Sequence, residues 1–94
     1  MELSERIYNG NRANEVLENE AYISAFQQIE QEIIEQWKSS PARDEEGRQK
    51  LWLMLQLLNK VQSTLRSTLE TGKLANLELE HKRTLLQRAK DAML

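Results

Sequence analysis

The chain contains no cysteine. That excludes disulfide frameworks and thiolate metal sites and is compatible with a reduced, cytoplasmic setting. One proline and three glycines among 94 residues leave few points where the backbone must turn or break. Aromatic residues make up only 5% of the chain, so any core is narrow. No stretch alternates apolar and β-branched residues with polar ones, which argues against a sheet. No apolar run approaches the roughly 18 residues of a membrane span, and no membrane partner is expected. The start, Met1-Glu2-Leu3-Ser4-Glu5-Arg6, is acidic and lacks the apolar segment of a signal peptide. Phosphate-binding glycine loops, Walker patterns and nucleophile elbows are also missing. The chain is therefore expected to be neither an enzyme nor a carrier of a cofactor.

What is present favours helix. Leu, Glu, Gln, Ala, Lys and Arg dominate, 30% of residues are charged, and the mean hydropathy is −0.70. The fold class is all-α in one small domain spanning residues 1–94. A net charge of −2 conceals an asymmetry: residues 1–47 carry 4 basic and 11 acidic side chains, residues 48–94 carry 9 basic and 4 acidic. The plainer reading is that the two halves attract each other. The sharper one offers the second half to nucleic acid, but Glu70, Glu78, Glu80 and Asp91 interrupt its basic residues.

Asn9-Gly10-Asn11 reads as a turn, making residues 1–10 a loosely held lead-in. Asn11 would cap a short helix through Glu18, and Asn19 could end that helix, start the next, or lie within one continuous helix. Over residues 20–38, Tyr22, Phe26, Ile29, Ile33 and Trp37 recur at spacings of four, three, four and four, the stripe of an amphipathic helix. Ser39-Ser40-Pro41 stops it. Ser40 as N-cap and Pro41 at the first position, followed by Asp44-Glu45-Glu46, would start a second helix over residues 42–71. So short a link makes an antiparallel helical hairpin, with Phe26 level with Leu55 and Ile33 near Arg48. The second helix is the longer and overhangs. At Gly72 it either ends in a glycine C-cap, giving a separate helix over residues 73–93, or continues, extended or kinked, into a C-terminal arm. The continuous form is preferred.

Leu51 to Leu58 are apolar at every position except Gln56. A helix apolar all round needs cover on more than one side. If Leu51, Leu55 and Leu58 face the hairpin core, Trp52, Leu53 and Leu57 become the candidate protein interface. The alternative is burial of that stripe by residues 11–18 or by a folded-back C-terminal helix. His81 is the only histidine, and Glu78 with His81 supplies two ligands where zinc wants three or four, so no metal site is expected. Glu30, Glu32 and Glu35 read as a solvated face. Lys82, Arg83, Arg88 and Lys90 form a basic end suited to phosphate contact, although a pI of 5.5 and the lack of interleaved aromatics favour a solvated helix end.

Several segments carry a resemblance: Ala13-Asn14-Glu15-Val16-Leu17, Ala25-Phe26, Trp37-Lys38-Ser39-Ser40, Gly47 through Trp52, and Leu69 through Ala75. In these the chain resembles small all-helical proteins of tailed phages and prophages that accompany head and DNA-packaging genes. The resemblance implies a role in virion assembly or packaging, in the host cytoplasm or the virion, and brings no catalytic or binding residues with it. The expected function is that of a non-enzymatic, self-associating helical interaction protein in phage assembly or DNA packaging, with the chain itself or another phage or host protein as partner. Two alternatives are a nucleic-acid-binding accessory factor using the basic C-terminal helix, and an inhibitor of a host enzyme whose acidic half imitates nucleic acid.

Overall fold

A computed structural model of the protein describes residues 2–93. It holds three helices, α1 (Leu3–Leu17), α2 (Glu20–Ser39) and α3 (Glu45–Met93), and no strand among the described residues. Asn19 separates the first two. Its backbone is extended, and its side-chain Oδ1 accepts the Tyr22 N–H at 3.0 Å, an N-cap that starts α2. Of the expected lead-in over residues 1–10, Met1 lies outside the described residues and residues 3–10 are not loose: α1 runs straight through Asn9-Gly10-Asn11, and Gly10 is buried. The turn reading fails because this glycine serves packing, not a bend.

The second link also differs from expectation. Ser40 closes α2, its N–H and hydroxyl both donating to the Trp37 carbonyl, at 3.2 and 2.6 Å. The Asp44 N–H then donates to the Pro41 carbonyl at 3.0 Å, forming a turn, and Asp44 Oδ1 accepts the Gly47 N–H at 3.0 Å. Asp44 is therefore the cap of α3, which starts at Glu45 and not at Ala42. The Ser40 hydroxyl is already committed to the preceding helix. Arg48 locks this link from the α3 side. Its guanidinium stacks 4.2 Å from the Trp37 ring centre, and Nη1 donates to Ser40 Oγ at 3.0 Å and to the Ser40 and Trp37 carbonyls at 3.3 Å each.

α3 continues unbroken across Gly72, and no glycine has positive φ. The segments expected as 42–71 and 73–93 are thus one helix, and the chain does not reverse at Gly72. Its 49 residues give about 73 Å at 1.5 Å per residue, which sets the long dimension of a molecule measuring 77 × 25 × 16 Å. α1 and α2 both lie against α3 and barely touch each other. Arg6 of α1 pairs with Glu78 (3.8 Å), Gly10 abuts Gly72, and Trp37 of α2 meets Arg48. Ile33 was expected at Arg48 but stands with Leu51 and Leu55. The register is displaced by about one turn because the link extends to Asp44.

α1 sits far closer to α3 than α2 does. A methyl built on Gly10 would stand 2.8 Å from the Gly72 Cα and 3.3 Å from the Thr68 carbonyl oxygen. One built on Gly72 would meet the Gly10 Cα at 2.8 Å and the Arg6 carbonyl oxygen at 2.9 Å. Only glycine allows backbones so near. One turn further along each helix, Ala13 and Ala75 are buried as well. The motif Gly-x-x-Ala occurs once in α1 and once in α3, and the two glycines meet.

Candidate protein-docking surface

Two layers of helix bury little. The buried apolar residues described are Ala13, Phe26, Ile33 and Ala75, and two of them are alanines. A compact chain of 11.0 kDa would expose about 5,600 Å² by the usual size scaling, whereas this one exposes 7625 Å². Its radius of gyration is 21.3 Å, against about 12 Å for a compact domain of this length. The surplus of about 2,000 Å² reflects the rod shape of the molecule.

Part of that surface lies where α1 and α2 leave α3 uncovered. Met54, Val61, Thr68 and Ala75 recur every seven residues and so lie on one line along that helix. Where α1 runs, the line is covered: Ala75 is 0% exposed and Thr68 is half-buried. Beside α2 it is bare: Met54 is 51% and Val61 50% exposed. The break at Glu18-Asn19 therefore does more than interrupt a helix. It lets α2 lie on a different line from α1. Leu57, 67% exposed, sits between Met54 and Val61 on the uncovered flank. These residues stand at i, i+3 and i+7, on one helix face.

The other flank of α3 holds an apolar groove of about 340 Å³ lined by Ile33, Ile34, Trp37, Lys38, Leu51, Trp52 and Leu55. Trp52 and Leu57 are five residues apart, about 140° around the helix. The structure thus leaves Trp52, Leu53 and Leu57 all exposed but does not assemble them into one patch. Trp52 belongs to the groove with Trp37, and Leu53 and Leu57 belong with Met54 and Val61. Neither residues 11–18 nor a folded-back C-terminal helix covers them. Met54, Val61 and Trp37 were not singled out as interface residues, although the seven-residue recurrence of the first two is plain in the chain.

The basic residues lie elsewhere. Since Arg6 pairs with Glu78, the last turns of α3 project beyond the start of α1, and residues 80–93 are exposed. Lys82 pairs with Glu78 at 3.6 Å; Arg83, Arg88 and Lys90 form no ion pair among the described residues. His81 is exposed on the same projecting arm. Among the described residues no three acidic or histidine side chains gather as a metal site would require. No helix is long and apolar enough to cross a membrane, again among the described residues. Comparison of the chain with protein families, with characterised proteins and with solved structures finds no match.

Proposed function

We propose that this chain is a helical protein-interaction module. On this reading it is an open antiparallel hairpin, with α3 as one arm and α1 and α2 laid end to end as the other, that docks through the apolar surface it leaves bare. The observation that carries the reading is the flank of Met54, Leu57 and Val61, half or more exposed on a helix that is covered along the same line elsewhere. Exposed contiguous apolar surface of this kind marks contact sites in soluble proteins. The tryptophan pair of the opposite groove adds a residue type favoured at binding centres. The likeness to tailed-phage proteins points to work in virion assembly or DNA packaging, where small helical parts join larger machinery without chemistry of their own.

The test is co-expression with the proteins encoded beside it. A stoichiometric complex, with itself or with one of them, should survive purification for the wild type and be lost for Leu57→Glu. Persistence of every complex in that variant, with helicity unchanged, refutes the reading. A second reading, contact with nucleic acid, draws on the projecting arm with Arg83, Arg88 and Lys90. It requires duplex affinity that falls steeply with salt and collapses when these residues and Lys82 become glutamine.

A further inference from the structure

We infer that the occupant of the Met54–Leu57–Val61 flank is a second copy of this chain, its α3 antiparallel to the first about a two-fold axis near Leu57. The inference rests on the docking reading above and adds the identity and register of the partner.

Three observations lead there. First, the surplus surface of about 2,000 Å² per chain leaves room for the about 800 Å² that each partner contributes to a standard interface. A single chain this extended has surface to remove, and a like chain has the same amount.

Second, the stripe is self-complementary. Leu53 lies four residues before Leu57 and Val61 four after it. An antiparallel copy centred on Leu57 therefore brings Leu53 level with the other chain's Val61, and Leu57 against its equivalent, with Met54 beside them. That is the isologous contact of a closed dimer. The neighbouring charges do not oppose this register. Lys60 falls level with Met54 and Lys50 with Thr64, so the lysines of this face meet no like charge. Their stems extend apolar cover while the charged heads reach water.

Third, the partner helix supplies what α1 supplies further along. α1 covers the line of Thr68 and Ala75. A second α3 would cover the same line at Met54 and Val61, leaving the Trp37–Trp52 groove on the far flank untouched. In such a dimer each α3 is flanked by its own shorter helices and by its twin.

The experiment uses the full chain, which has no native cysteine, so one introduced thiol reports one position. Light scattering across a concentration series should give twice 11.0 kDa for the wild type. Leu57→Glu, which sets two carboxylates face to face at the axis, should weaken the dimer about 30-fold or more with helicity kept. Leu57→Cys should be joined into a dimer by a short bismaleimide, whereas Asn59→Cys, on the opposite side of α3, should not. A wild type that stays a single chain overturns the inference. So does a dimer indifferent to Leu57→Glu, or equal cross-linking at both cysteines. If the wild type is a single chain yet Leu57→Glu abolishes its binding to another protein, only the second copy is refuted and the docking reading survives. If Leu57→Glu alters neither mass nor any complex, both fall.

Discussion

Replacing Gly72 with alanine sets two known effects against each other. In an exposed helix the exchange should stabilise, since alanine is favoured over glycine by about 1 kcal/mol. Here the added methyl would stand 2.8 Å from the Gly10 Cα and 2.9 Å from the Arg6 carbonyl oxygen. Both are backbone atoms, so no rotamer change relieves the contact. Ordinary carbon contacts are about 3.5–4.0 Å, which requires α1 to retreat by roughly 1 Å. A gap of that size forfeits a quarter to a half of the dispersion energy of the atoms it separates, and the Ala13 and Ala75 packing lies within it. Overfilling of this kind costs about 1–3 kcal/mol. Because backbone meets backbone on both sides, the upper part of that range applies, and the net loss is about 1–2 kcal/mol. For a chain of this size that lowers Tm by roughly 4–15 °C. The assay is thermal unfolding followed by circular dichroism at one fixed chain concentration, because association would shift the midpoint. Gly10→Ala should behave likewise, and the double variant should lose less than the sum, since the first methyl opens the space that the second occupies. A Gly72→Ala protein with a higher Tm than the wild type would refute the close crossing.

Other consequences can be checked by denaturant titration. Asn19→Ala and Asp44→Ala each remove a capping acceptor and should lose about 1 kcal/mol apiece. They lie at opposite ends of the α2 arm, so the losses should add; strong coupling would contradict the placement of the two caps. Arg48→Met removes the donor shared by Ser40 and Trp37 together with the stacked guanidinium, and should lower the urea midpoint by about 1–3 kcal/mol equivalent with m unchanged. Tyr22→Phe should do the reverse. The Tyr22 hydroxyl is buried without a hydrogen-bond partner among the described residues, so its removal should raise stability by about 1 kcal/mol. A clear loss there would mean that the hydroxyl is satisfied.

How far the chain could be read before folding varies by element. The stripe from Tyr22 to Trp37 was legible because its period is local and uninterrupted, and α2 ends within a residue of where the pattern stops. The link after it was legible in place but not in detail: Ser40, Pro41 and Asp44 can all start a helix, and the choice depends on which acceptor the Ser40 hydroxyl finds. Gly10 misled for a different reason, whereas at Gly72 the preferred continuous helix is the one that forms. Within its own helix each looks like a breaker. Only the facing helix, more than sixty positions away in the chain, shows that their missing side chains are the point of contact. The signal was there as a repeated pattern, Gly10-Asn11-Arg12-Ala13 and Gly72-Lys73-Leu74-Ala75, two small faces of matching spacing. The candidate surface was half legible. An apolar run around Leu53 says that one side of α3 lacks cover. Which residues share that side depends on where α2 lies, and Trp52 falls to the groove.

The deciding question is whether the Met54 side of α3 is left open by its own chain and closed by another. The thioether methyls allow a direct reading, by nuclear magnetic resonance of methyl-labelled methionine with a paramagnetic agent dissolved in the solvent. At high dilution the Met54 methyl, on a side chain 51% exposed, should relax clearly, though less than that of Met93 at 86%. As the chain is concentrated, Met54 should become protected while Met93 does not. A Met54 methyl shielded equally at every dilution would mean that a single chain seals this flank, and would contradict an open docking face on α3.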